Sequence, residues 1–171
     1  MSRLLIVRGL PGSGKSTYVR NNYTGLFTLE TDQFNCVDGK YVWSLERSKE
    51  AINLIERIRN MLIASENTPD FAILGVFART TSFVPHIEYA LDNNYEVYIK
   101  TLTTQYKTIH NVPEETMKMF KDHFVSEFNL KEMISSFYNC KIRSKIHFED
   151  MPKIDWEFNG APDSNFDNNK E

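Results

Sequence analysis

With 171 residues, 41% of them apolar, the chain is long enough for one domain with an ordinary core and too short for two of typical size. No apolar run reaches membrane-span length and the four apolar residues near the start are too few for a secretory signal, so a soluble cytoplasmic protein with no membrane partner is expected. Net charge is −3: residues 149–171 hold seven acids and two bases, while the rest carries 18 Lys and Arg against 16 Asp and Glu, without the basic bulk of a non-specific nucleic-acid binder.

The first strand is predicted over about 3–8, from Leu4-Leu5-Ile6-Val7. It runs into Gly9-Leu10-Pro11-Gly12-Ser13-Gly14-Lys15-Ser16-Thr17, a complete G-x-x-x-x-G-K-[S/T] phosphate loop, and a helix over about 15–22 follows. Strand, loop and helix in that order give the motif its meaning. Gly9, Gly12 and Gly14 permit torsions that strain any residue with a Cβ, so successive N–H groups can turn inward toward phosphate oxygens. The helix N-terminus adds its positive end. Lys15 can reach the β- and γ-phosphates, and the Ser16 hydroxyl can ligate Mg²⁺. Nucleoside triphosphate binding, with ATP and Mg²⁺ as cofactors, is therefore the leading expectation.

A second strand is predicted at Leu26–Leu29, a turn at Asp38-Gly39, and a long helix over about 45–66 with Ser44 as its N-cap. Ala51, Ile55, Ile58 and Leu62 give that helix its apolar stripe, with Leu54 and Met61 beside it. Asn67-Thr68-Pro69-Asp70 ends it. The continuous apolar run from Phe71 to near Phe77 reads as a buried central strand. A helix over about 83–93, a strand over about 95–101, a polar stretch over 102–112 and a helix from Pro113 to about Phe124 come next. Another helix over about 129–138 follows, and the alternation of 140–148 suggests a last strand. Residues 1–148 thus form one domain and 149–171 an acidic C-terminal segment, disordered from about Asn159. Cys36 and Cys140 have no second Cys or His at ligand spacing, so neither a disulfide framework nor a zinc site is expected.

Four segments together resemble the polynucleotide-kinase-like branch of the P-loop kinases, a grouping that takes in AAA-type ATPase and zeta-toxin-like kinases and the phage-type 5′-polynucleotide kinase domain. They are Gly9–Thr17, Thr31-Asp32-Gln33-Phe34, Gly39-Lys40-Tyr41 and His110-Asn111-Val112-Pro113, in family order over residues 3 to about 124. The resemblance implies a three-layer α/β fold with a five-stranded, mainly parallel sheet flanked by helices. It also implies that Asp32 activates an acceptor hydroxyl. Asp32 is alternatively a Mg²⁺ ligand or only the cap of the next turn.

Three positions depart from the family pattern. Asn35 stands where the phage enzymes have an Arg, and Leu74-Gly75-Val76-Phe77 stands in place of D-N-T-N, which removes a strand-end carboxylate. Lys107 and Thr108 stand where the lid has R-N, so Lys107 keeps the charge without the planar fork. The expected function is transfer of a γ-phosphoryl group to a nucleic-acid 5′ end, a nucleotide or a nucleotide-like molecule. Lys15, Asp32 and Lys107 are the catalytic candidates, and Ser16 and Asp32 the metal candidates. The alternative is a catalytically weak nucleotide-binding module that regulates a partner. Oligomeric state is not indicated. Arg79 reads either as a crevice cation or as a solvated one, and His110 as structural or catalytic. Lys40 and Tyr41 lie on the loop after Asp32, where an acceptor would sit, and the alternative is that Tyr41 and Trp43 pack under that loop. His86 and His147 have no partner at a telling spacing, and Trp156 and Phe158 have no assigned surface.

Overall fold

Four consecutive apolar residues, Leu4 to Val7, leave a strand no face for solvent, so it must lie inside a sheet covered on both sides. The computed structural model describes residues 1–38, 40–42, 44–106 and 112–153, without the side chains of Cys36, Val37, Lys40 and Tyr41. In chain order the elements are β1 (Arg3–Gly9), α1 (Lys15–Asn22), β2 (Phe27–Glu30), α2 (Thr31–Phe34), the hairpin β3 (Cys36–Val37) and β4 (Lys40–Tyr41), and α3 (Leu45–Ile63). Then come β5 (Phe71–Gly75), α4 (Val84–Asp92), β6 (Glu96–Leu102), α5 (Glu114–His123), α6 (Glu127–Phe137), α7 (Cys140–Arg143) and β7 (Ile146–His147).

Five strands form one sheet in the order β2-β5-β1-β6-β7, and every neighbouring pair is parallel. Alternate residues of β1 point to opposite layers. Leu4 and Ile6 join Ile55, Ile63, Phe83, Ile87 and Leu130 in the layer under α3, α4 and α6. Leu5 and Val7 join Val19, Tyr23 and Met151 in the layer under α1. Met151 is held there by its carbonyl, which accepts from the Tyr23 hydroxyl at 3.1 Å, while the Asp150 carboxylate accepts from Lys100 Nζ at 2.6 Å and the Tyr18 hydroxyl at 2.7 Å. The expected three-layer α/β fold is present. Among the described residues no helix is long and apolar enough to cross a membrane.

Two expectations need correction. α3 starts where Ser44 caps it, Oγ accepting from Arg47 N at 3.2 Å, but its buried stripe is Ala51, Ile55, Arg59 and Ile63. Leu54 and Met61 are 40% and 72% exposed. Ile58 and Leu62 are partly buried and pack against the same core, so the expected stripe faces inward, with Arg59 and Ile63 added to it and Leu54 and Met61 left outside. Second, the alternation of 140–148 is not one strand. Asn139 Oδ1 accepts from Ile142 N at 3.1 Å and starts the helical turn α7, so only Ile146 and His147 remain to pair with β6. Gly39, Trp43 and residues 154–171, including Trp156, Phe158 and the segment expected to be disordered, lie outside the described residues.

Candidate active site

β1 ends in the phosphate loop, whose shape is fixed by several close contacts. Gly12 and Gly14 have φ of 81° and 83°, in the left-handed region that glycine tolerates. Gly9 is required for a different reason: a Cβ there would collide with Ser13 Oγ and with the Leu102 carbonyl. The chain after β6 clasps the loop from outside. Gln105 Nε2 donates to Pro11 O at 2.7 Å and Tyr106 N to Gly12 O at 2.8 Å. Within the loop, Ser13 N donates to Leu10 O at 3.0 Å, and Lys15 Nζ donates to the carbonyls of Gly9 at 2.9 Å and Leu10 at 3.2 Å. Lys15 is 8% exposed, and burial lowers its pKa while the nearby Glu30 and then Asp32 pull it back up. Thr17, next on α1, is exposed.

Ser16 reveals a residue that the sequence reading missed. Its hydroxyl donates to the Glu30 carboxylate, 2.8 Å from Oε1 and 2.9 Å from Oε2. Glu30 is the last residue of β2, is 8% exposed, and pairs in register with Leu74 of β5. Leu74 is where the family's D-N-T-N acid would begin. A carboxylate therefore does stand at that level of the sheet, on the neighbouring strand. The signal was an acid at the carboxyl end of a parallel strand, beside the ligand crevice. Among the described residues no group of three or more His, Cys, Asp or Glu forms a metal cluster. A hydroxyl, a carboxylate and phosphate oxygens are nonetheless a donor set of the kind Mg²⁺ takes.

Asp32 sits in the first turn of α2, directly after Glu30, and is partly exposed. It lines a cavity of about 500 Å³ that it shares with Lys15 and Glu30. Asn35 closes the same short helix, is 1% exposed, and has no partner for its buried Oδ1 among the described residues. Lys107, Thr108, His110 and Asn111 lie outside the described residues.

The remaining cavity walls come from elements far apart in sequence: α3, the segment after β5, the start of α4, and α5. Phe77 has φ of 46°, an unfavourable value for an aromatic residue, and its ring folds back over Gly75, where a Cβ would lie 2.9 Å from the ring. Phe83 and His86 hold that ring edge-on, with centroids 5.9 Å away in both cases. Arg79 is exposed at the cavity rim.

His86, which no spacing had singled out, is 4% exposed and meets Arg59 of α3, with Nδ1 2.7 Å from Arg59 Nη1. Arg59 Nε and Nη2 donate to Asn60 Oδ1 at 3.0 and 2.9 Å, and its guanidinium lies 4.6 Å from the Tyr89 ring centroid. Burial, with the neighbouring Arg59 charge, lowers the His86 pKa to about 4.

Arg8, the last residue before Gly9, is fully buried on the same side of the sheet. Nη2 donates to Val125 O at 2.7 Å, and the guanidinium lies 4.3 Å from the Phe124 ring centroid and 5.2 Å from that of Phe83. Burial lowers its pKa to about 10, opposed by Glu127. Val125 N donates to Ala78 O at 3.0 Å, so the junction between α5 and α6 is fastened both to β1 and to the segment after β5.

No protein-family model matches the chain. It is similar to an uncharacterized protein of Pasteurella multocida (strain Pm70), 39% identical over 118 residues, which span 54% of this chain and 66% of that protein. Among solved structures it is similar to the AvrRxo1-ORF1:-ORF2 complex with ATP, at 15% identity and TM-score 0.47, covering 60% of this chain and 37% of that one. It is similar to a chain of the Pnkp1/Rnl/Hen1 RNA repair complex, at 17% identity and TM-score 0.47, covering 90% and 49%. It is also similar to the APS kinase CysC of Mycobacterium tuberculosis, at 12% identity and TM-score 0.41, covering 73% and 98%. The chain's own strand order, loop and flanking helices make the fold a three-layer α/β P-loop fold.

Proposed function

We propose that the chain is an ATP- and Mg²⁺-dependent kinase that transfers the γ-phosphoryl group to a hydroxyl of a nucleic-acid 5′ end, a nucleotide or a nucleotide-like small molecule. The observation that carries this reading is the shared cavity. Lys15 and Asp32 line it together, and Ser16 is paired with Glu30 beside it. The phosphates lie in the loop against its backbone N–H groups, the start of α1 and Lys15. Ser16 and Glu30, with Asp32 as a further candidate, hold Mg²⁺. When bound, the ion neutralises phosphate charge and fixes the orientation of the β- and γ-oxygens.

Asp32 accepts the proton of the acceptor hydroxyl. The acceptor oxygen bonds to the γ-phosphorus as the bond from that phosphorus to the β,γ-bridging oxygen breaks, and ADP leaves with the electron pair. Lys107 meets the charge on the transferred group from the lid side. Glu30 answers the main objection to an active enzyme, the missing acid at Leu74.

The test is single-turnover transfer from γ-labelled ATP to a panel of hydroxyl acceptors, with wild type, Asp32→Asn and Lys107→Ala. Wild-type transfer that both substitutions slow supports the reading. ATP binding without transfer to any acceptor would overturn it in favour of a nucleotide-controlled partner module.

A further inference from the structure

The cavity beside the loop carries more detail than a hydroxyl acceptor alone requires. At about 500 Å³ it has the size of a small-molecule site. Ile52, Ile55, Phe77, Met119 and Phe120 give it a mostly apolar wall, which suits a flat ring and not a sugar chain. The Phe77 backbone is held in an unfavourable conformation with its ring laid over Gly75, and such strain persists only where the surroundings over-determine it. Here Phe83 and His86 do so.

His86 adds one directed polar group. Arg59 keeps its proton in proteins, so its Nη1 is the donor and His86 Nδ1 the acceptor. The ring is therefore neutral, with its proton on Nε2, and that N–H is what His86 can offer the cavity that it lines. The depressed pKa keeps the ring neutral through the neutral pH range, and the Arg59 contact sets the tautomer. The charges on the walls point the same way. Among the described residues Lys15 and Arg79 are set against Glu30, Asp32 and Glu56, whereas a polynucleotide backbone calls for several cationic contacts.

Resting on the kinase reading above, we propose that the acceptor is an uncharged nucleoside. Its base enters the apolar cavity and accepts a hydrogen bond from His86 Nε2–H, and its sugar hydroxyl meets Asp32. Arg59 is a positioning residue, since it fixes the histidine tautomer without touching the ligand. The transfer is the one given above: the sugar oxygen gains the γ-phosphoryl group, its proton goes to Asp32, and the products are a nucleoside monophosphate and ADP.

The experiment uses the full chain with adenosine, guanosine, cytidine, uridine and thymidine one at a time, and a 5′-hydroxyl decanucleotide. Calorimetry in the presence of a non-hydrolysable ATP analogue reads binding, and label transfer from ATP reads chemistry. At least one nucleoside should bind, and His86→Phe should weaken it about 10-fold, the loss of one good hydrogen bond, with the affinity for the ATP analogue unchanged. Because His86→Phe removes the shortest of the Arg59 contacts and leaves it only Asn60 Oδ1 and the Pro85 carbonyl, His86→Gln serves as the second variant. It offers Arg59 an oxygen and the cavity an N–H, and should restore most of the nucleoside affinity.

Nucleoside binding that depends on His86, without label transfer, would leave the site standing and remove the kinase reading. Transfer to the decanucleotide with no nucleoside bound would overturn the nucleoside proposal and leave the kinase reading intact. Equal nucleoside affinity in wild type and His86→Phe would overturn the role of His86.

Discussion

The two halves of the candidate site are built in opposite ways. The loop half is one contiguous run, Gly9 to Thr17, shaped by backbone torsion and backbone hydrogen bonds, with Lys15 and Ser16 as its candidate ligand-binding side chains. The cavity half is assembled from α2, α3, the segment after β5, α4 and α5, and its key pair, Arg59 and His86, comes from two helices. A contiguous loop suits a ligand part that never changes, such as a triphosphate. A cavity of distant side chains can be altered one wall at a time, which suits the part of a reaction that differs among proteins sharing a fold. Glu30 and Asp32 stand at the join, one turned to Ser16 and the other lining the cavity.

This contrast can be broken at the join. Asp32→Asn keeps the shape and removes the base, so transfer should fall by about 10²–10⁴ while ATP affinity barely changes, as single-turnover kinetics and calorimetry will read. A wild-type rate would assign Asp32 to capping. Next in size, Lys15→Ala should weaken ATP binding by about 10²-fold while the chain stays folded, with at most a small fall in melting temperature from the lost bonds to the Gly9 and Leu10 carbonyls. Equal affinity would mean that the loop half has been misread. Glu30→Gln should raise the Mg²⁺ concentration needed for tight ATP binding about 10-fold, and leave ATP binding without Mg²⁺ unchanged. If both titrations shift together, Glu30 shapes the loop and holds no ion.

The cavity half has a stability signature of its own. The His86 pKa is depressed to about 4 from 6.5, so its stabilising contribution is complete above pH 6.5 and is lost as pH falls toward 4, where the unfolded chain binds a proton that the folded chain refuses. Between pH 7 and pH 5 wild type should lose about 1–2 kcal/mol more than His86→Gln in denaturant melts. Parallel curves would show that His86 is not held neutral. Away from both halves, Asp150→Ala removes a largely exposed partner of Lys100 and should cost less than about 1 kcal/mol.

The sequence showed the fold because its signals are local: Leu4–Val7, the loop, and the apolar run from Phe71 each name their element without help from elsewhere. β7 was overdrawn because Asn139, a capping residue, competes with the alternation that follows it. Glu30 escaped because its meaning depends on Ser16 across a crossover, although its place at a strand end was visible. Arg59 and His86 were illegible. A charged residue inside an apolar stripe reads as exposed, and only the packing of α3 against α4 shows that it is paired. The Gly9 requirement was legible but attributed to torsion, when the close approach of Ser13 and Leu102 sets it.

The strand order has a consequence for how the chain is made. β1 pairs with β5 and β6 and with no strand adjacent to it in sequence, so no hairpin can shelter it early. During synthesis it leaves the ribosome before either partner strand and must wait for β5 and then for β6 before both of its edges are hydrogen-bonded. Such non-local pairing is slow, because loop-closure entropy is spent before the contacts form. The Leu102 carbonyl that crowds Gly9, and the Gln105 and Tyr106 contacts that clasp the loop, arrive later still. The loop motif is thus translated before the strands and contacts that shape it, so a nascent chain acquires a formed phosphate loop only after β5 and β6 have joined β1.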